Sequence, residues 1–405
     1  MNRAPGRLGA ICGHTLAAAL TLSLMLGGHA AVADCVGGAA ATATTLPASF
    51  TFAAVGDIII QQSSGAIIRA HAPQIVQLLS QADTSFGNFE SNSFELDRFS
   101  GHVRPPPEGP VLLAPPQVPL ELKRLGFTLL STANNHAGDW GPEGVLATAR
   151  TLQQAGLVSA GTGAGLRAAR APACLMAHGA SVALVAITST FSSPDAAAAQ
   201  RPGVNALHLN VRNNVYVMND ADRRALLASI RAVRRSAALV FVSLHTHELG
   251  IDAEHPPEFE VELAHAAIES GADVFVGHGP HTLRGLEIYK GRPIFYSLAN
   301  FAVMQPPSRI NPKPLSLPPG SVFTRRAFFE SILAVGRYEH GRLRQLELYP
   351  FQLAQTADPA LHGLPESVSP AEGRAILERV RELSQPFGTQ LRIADGVGVV
   401  RIAAP

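Results

Sequence analysis

Five short polar motifs stand where apolar runs end, and each carries side chains able to hold a metal or move a proton. They are Gly56-Asp57, Gly87-Asn88-Phe89-Glu90, Asn134-Asn135-His136 with Asp139 behind it, His245-Thr246-His247-Glu248, and Gly277-His278-Gly279-Pro280-His281. One alone means little, because a histidine after a strand is more often a structural residue than a ligand. In succession they offer carboxylate, carboxylate, amide plus imidazole, imidazole, and paired imidazoles. Hard or borderline divalent ions take such a mixed nitrogen and oxygen shell, and two ions sharing a bridging carboxylate take about this many groups. Two divalent ions are expected, of manganese, zinc or iron. The neighbouring glycines let the backbone turn sharply so that each side chain faces one site.

Groups of this kind need strand ends to hold them, since open α/β sheets bind ligands at the carboxyl ends of their strands. From residue 49 onward, runs rich in Val, Ile and Phe alternate with helical patterns, which is the sequence form of an α/β domain. Strands are expected over 50–55, 84–87, 128–131, 181–187, 239–244 and 274–276. Helices are expected over 73–81, 118–125, 142–155, 221–234 and 257–270; in the fourth, Leu226, Leu227, Ile230 and Val233 make one apolar stripe. Over 297–322 the prolines at 306, 307, 312, 314, 318 and 319 break regular structure, predicting a surface loop or lid. Residues 328–338 and 343–351, parted by His340-Gly341, read as a hairpin. A last helix over 370–385 has Ser369 as N-cap and Pro370 in its first turn.

The run Ala272 to His281, followed by Gly285 to Tyr289 and Ile294 to Phe301, resembles the C-terminal signature of the CapA-type poly-gamma-glutamate capsule synthesis family, itself built on the calcineurin-like metallophosphoesterase plan. Asn134-Asn135-His136 with Asp139 and Gly141, Asn88 with Glu90, and Gly56-Asp57 resemble that family's other motifs, so the likeness runs from about residue 52 to 301. It implies an α/β fold, a four-layer α/β/β/α sandwich of metallophosphoesterase type, with a dinuclear metal centre at the strand ends. Asp57, Glu90, Asn135, His245, His278 and His281 fall on metal-ligand positions, and His136 on that of the histidine that protonates the leaving group. Two departures stand out. The wider superfamily has Asp-x-His where Asp57 is followed by Ile58 and Ile59, which leaves one ion to Glu248 or water. Many family members carry His-Trp-Gly where this chain has His-Thr-His-Glu, which leaves His245 or His247 as the ligand.

Other polar residues take supporting roles in this reading. Asp139 orients His136 or caps the helix near Pro142; Asn134 caps its turn; Asn88 and Asn300 bind metal or brace a ligand from behind. Arg104 and Arg284 are candidates to clamp a carboxylate or phosphate. His208, His255, His265 and His340 have no motif around them and read as structural. The substrate implied is a phosphoester, a gamma-glutamyl amide or an anionic polymer, met alone or within a capsule synthesis or export assembly. Hydrolysis competes with a non-catalytic, polymer-holding role and with periplasmic phosphoester scavenging.

Residues 1–34 have the form of a secretory signal: Arg3 and Arg7, an apolar run from Leu16 to Leu26, then small residues up to Asp34. The run is short of the roughly 20 residues that span a bilayer, so cleavage is expected over an N-terminal anchor. The mature chain is then periplasmic or extracellular. A turn-prone lead-in over 35–48, a main domain over 49–355 and an extension with a helix over 356–405 follow. With 46% hydrophobic and 16% charged residues the chain is that of a well-packed protein. A net charge of +1 gives no general attraction for nucleic acid, which is excluded as a partner. Cys35 and Cys174 remain as mature thiols, able to form one bridge if they meet.

Overall fold

A computed structural model describes residues 35, 44–104, 110–213, 215–311 and 324–402. The secretory signal expected over 1–34, and residues 36–43 of the lead-in, lie outside them. In chain order the main elements are β1 (Ser49–Ile60), α1 (Gly65–His71), α2 (Pro73–Gln81), β2 (Thr84–Phe89), α3 (Gln117–Leu125), β3 (Leu129–Ser131), α4 (Gly141–Gln154), β4 (Val158–Ala160), β5 (Ala173–Ala177) and β6 (Ala180–Thr188). There follow α5 (Asp220–Val233), β7 (Leu239–His245), α6 (Glu258–Glu269), β8 (Val274–His278), β9 (Leu286–Tyr289), β10 (Arg292–Phe295) and β11 (Asn300–Met304). The chain then runs through β12 (Glu330–Glu339), β13 (Arg342–Leu353), β14 (Pro365–Glu366), α7 (Pro370–Ser384), β15 (Arg392–Ala394) and β16 (Val397–Arg401).

Two sheets dominate. A ten-stranded sheet has the order β15-β16-β13-β12-β1-β2-β3-β4, with β11 also on β1 and β14 on β13. A six-stranded sheet has the order β9-β10-β8-β7-β6-β5. Alternation along the strands decides what each face buries. Phe50, Phe52 and Ala54 of β1 share an apolar cluster with Val182, Leu184 and Ala186 of β6 and with Phe241 of β7. The two sheets therefore bury one face against each other. Ala53 and Val55 point the other way, among Ile75, Leu79 and Leu122 of α2 and α3. Val240, Val242 and Leu244 of β7 meet Leu226 and Ile230 of α5 and Leu263 of α6.

β1 runs five residues past its expected end because it changes partner midway. Its first half pairs antiparallel with β12, and from Asp57 on, across an irregularity at Asp57/Ile58, it pairs in parallel with β11. This corrects the reading of 297–322 as wholly irregular. The prolines begin only at 306, and before them Phe301, Ala302 and Met304 are buried as strand residues. The C-terminal extension joins the same sheet: β16 pairs with β13 and β15 with β16. α7 starts at a capping box of Ser369 and Glu372 and adds Ile376, Leu377 and Val380 to the core between the sheets. Cys35 is bonded to Cys174 of β5, with Cα atoms 5.6 Å apart. Among the described residues no helix is long and apolar enough to cross a membrane.

Candidate metal centre

Asp57 follows a close approach of β1 to the chain at Ala299. A Cβ at Gly56 would strike the Ala299 carbonyl, so only glycine lets the strand through; that carbonyl also accepts the Asp57 N–H at 3.0 Å. Asn88 of β2 is its register partner and donates from Nδ2 to Asp57 Oδ1 at 2.8 Å. In the other sheet His245 and His278 end β7 and β8 in matching register, with their Nδ1 atoms 3.0 Å apart. His278 Nδ1 is 3.4 Å from Asp57 Oδ1, and His281 Nδ1 is 3.4 Å from Asp57 Oδ2. The ends of both sheets thus meet on one carboxylate.

Two groups with metal-ligating atoms result: Asp57 with His245 and His278, and Glu90 with His247 and His281. Within each, the atoms lie within 4.8 Å of one another. His245 stands between the groups, its Nε2 2.9 Å from Asn135 Oδ1, 3.1 Å from His247 Nε2 and 3.9 Å from Glu90 Oε1. The sequence left His245 and His247 as alternatives; the structure uses each in a different group.

The shell behind is hydrogen-bonded. Ser243 Oγ is 2.7 Å from His278 Nε2, and Asn300 Oδ1 is 2.7 Å from His281 Nδ1. His281 has a left-handed backbone, φ 57°, unusual outside glycine, and the Asn300 amide also donates to its carbonyl at 3.2 Å. The Gly279 N–H donates to Asp57 Oδ2 at 3.0 Å. Asn134 donates to Asn88 Oδ1 at 3.2 Å and to the Phe89 carbonyl at 2.9 Å, bracing Asn88. Ser243 was missed from the sequence, although a polar residue two positions before His245 breaks an apolar strand on the face His245 uses.

Electrostatics test whether these residues suit a cation. Both Glu90 carboxylate oxygens are buried without a hydrogen-bond partner, a rare state for a native polar group. Burial, followed by the charge of Asp57, pushes the Glu90 pKa well above its ordinary value. Burial, with the adjacent His247, holds His245 far below the imidazole range; burial, with His281, holds His247 at about 3; burial also lowers His281. Burial alone would raise Asp57, but the hydrogen bond with His278 and the surrounding imidazoles outweigh it and keep Asp57 ionised. Neutral imidazoles, an ionised carboxylate and an orphaned one are a donor set that divalent cations complete.

Beside these groups, His136 Nδ1 lies 2.9 Å from Asp139 Oδ2, which also accepts the Leu112 N–H at 2.7 Å. Asp139 therefore orients His136; α4 begins at Gly141 without a side-chain cap. The Asn92 amide fixes the His136 carbonyl at 2.7 Å.

With this geometry in view, residues 51–305 match the family described as "Bacterial capsule synthesis protein PGA_cap". The chain belongs to that family. An uncharacterized protein, y4uA of Sinorhizobium fredii, is 32% identical over 440 residues, covering 89% of this chain and 95% of the relative. The capsule biosynthesis protein CapA of Bacillus anthracis is 29% identical over 63% of this chain and 60% of its own length. A probable polyglutamine synthesis accessory protein of Mycobacterium tuberculosis is 33% identical over 40% of this chain and 42% of its own.

Three residues singled out in this PGA_cap chain are placed differently from expectation. Arg284 is wholly buried, donating to Glu260 Oε2 at 2.6 Å and to the Ala253 and Glu248 carbonyls at 3.0 and 2.9 Å. Arg104 is part-exposed but ion-paired with Asp195, and its N–H donates to the Asp139 carbonyl at 2.7 Å. Glu248 stands outside both ligand groups, its Oε2 accepting from Ser189 at 2.7 Å and Thr190 at 3.0 Å, and from Thr246.

Proposed function

We propose that this PGA_cap protein is an exported, metal-dependent hydrolase acting in capsule or poly-gamma-glutamate metabolism, on a four-layer α/β/β/α sandwich of metallophosphoesterase type. The observation that carries the reading is the pair of abutting ligand groups around the orphaned Glu90 carboxylate. In it Asp57, His245 and His278 would hold one ion and Glu90, His247 and His281 the second, with Asn135 as a further ligand. His247 makes up for the imidazole missing after Asp57. Divalent ions held there, of manganese, zinc or iron, supply an ionised water and polarise the scissile group.

The remaining chemistry is the protein's own. Asp139 holds the His136 ring through Nδ1, which leaves Nε2 to give a proton to the leaving group. Ser243 and Asn300 fix the rings of His278 and His281, so that little reorganisation is needed as charge develops. The substrate is a phosphoester or the gamma-glutamyl amide that the family resemblance implies. The Cys35–Cys174 bridge supports export, because such bonds persist in oxidising compartments.

A second reading has one observation in its favour: a relative is named an accessory protein, which suits a non-catalytic holder of polymer within a synthesis or export assembly. Metal analysis of the purified protein, followed by a panel of phosphoesters and gamma-glutamyl peptides, separates the two. Turnover of either class by metal-loaded protein is expected. Turnover of neither would replace hydrolysis with holding.

A further inference from the structure

We propose that the arginine-lined groove between α7 and the β15–β16 hairpin is a second binding site, one that takes an extended polycarboxylate chain. The groove has a volume of about 550 Å³ and is lined by Arg374, Glu378, Arg381, Arg392, Val399 and Arg401 among others. Its residues all lie beyond 305, outside the family match.

Charge makes the case. The whole chain carries a net charge of only +1, yet this groove sets four guanidiniums against one carboxylate. Glu378 is shared between Arg374, at 3.6 Å, and Arg381. Arg392 and Arg401 have no ion pair among the described residues, and Glu347, opposite Val399 in the sheet, is already taken by Arg337 at 2.7 Å. All four arginines are exposed. A groove in which one carboxylate is set against four guanidiniums keeps an excess of positive charge, suited to an anion from outside.

The arrangement favours a chain over a single small anion. Arg374 and Arg381 are seven residues apart on one face of α7, about 10 Å along the helix axis. Arg392 pairs with Val399, and Arg401 is two residues on, so Arg392 and Arg401 project from the same face of neighbouring strands. Four cations lining one groove, two from α7 and two from the hairpin, suit a ligand whose charges repeat. Each guanidinium can take a carboxylate through two parallel hydrogen bonds. The choice of a polycarboxylate over other polyanions rests on the function proposed above. The groove would then retain the polymer while the metal centre works on one bond.

The test is fluorescence anisotropy with a labelled gamma-linked glutamate decamer and the full mature, metal-loaded protein. The double variant Arg392→Glu/Arg401→Glu is expected to lower affinity by about tenfold or more, with unchanged metal content. Raising salt should weaken wild-type binding steeply and the variant's little. Arg392→Gln/Arg401→Gln, which removes charge without adding repulsion, should show a smaller loss and guards against misfolding. Equal affinity of wild type and both variants, or no decamer binding by wild type, overturns the groove. Decamer binding that depends on these arginines in a protein that hydrolyses no substrate keeps the groove and removes only the hydrolase reading.

Discussion

Replacing Glu90 by glutamine should stabilise the metal-free protein while weakening its hold on metal. The Glu90 oxygens are wholly buried and unpartnered, and a buried polar group in that state costs about 1–3 kcal/mol. Its folded pKa is raised by burial and by Asp57, from an ordinary value of 4.5. Stability drawn from the neutral carboxyl is therefore intact below that value and drains as pH rises through the raised one. One proton accounts for at most about 1.4 kcal/mol per pH unit. In chelator-treated protein, urea unfolding at a series of pH values should show Glu90→Gln gaining on wild type as pH rises, because glutamine does not ionise. With metal present the order should reverse, since metal at 100 times its dissociation constant stabilises the native state by about 2.7 kcal/mol and the variant forfeits part of this. Parallel pH profiles in chelator, together with full metal content in the variant, would refute the argument that Glu90 is an orphan awaiting a cation.

Three further expectations follow from the same geometry. His136→Ala should keep its metal and lose about 10²- to 10⁴-fold in turnover, with a smaller loss for nitrophenyl substrates, whose leaving group needs little protonation; equal loss on all substrates would move His136 out of the acid role. Arg284→Ala strands Glu260 as an uncompensated buried acid and should cost about 3–5 kcal/mol in urea unfolding, so near-wild-type stability would mean that Glu260 is not confined as described. Cys174→Ser removes a bridge between residues 139 apart and should cost about 2–4 kcal/mol, read as a denaturant midpoint that reductant no longer shifts.

Strand ends were legible because each couples an apolar run to a polar stop: three of the five motifs lie at the ends of β2, β7 and β8, while Gly56-Asp57 sits inside β1, which continues past it to Ile60. The expected extents of β7 and β8 fell one and two residues short, since their last residues are the buried histidines themselves. α2 was legible to the residue, with Pro73 in its first turn and an apolar stripe behind it. β11 was not, because its pairing with β1 is decided by a partner more than 240 residues earlier, which local pattern does not register. The division of ligands was likewise hidden. Whether His245 and His247 serve one ion or two depends on how two sheets abut, and an Arg284 chosen for its nearness in sequence proved to be walled in by α6.

The bridge at Cys35 bears on how this protein would come to be. With processing near Asp34, Cys35 is one residue from the new N-terminus, and the bond pins that end to β5. An end held in this way is closed to aminopeptidases, which need a free, threadable terminus. On the export proposed above, a copy that folds in a reducing cytosol before transport would keep both sulfurs as thiols and lack the clamp. Protease resistance of the first residues after the proposed cleavage point would then report on which side of the membrane a given molecule finished folding.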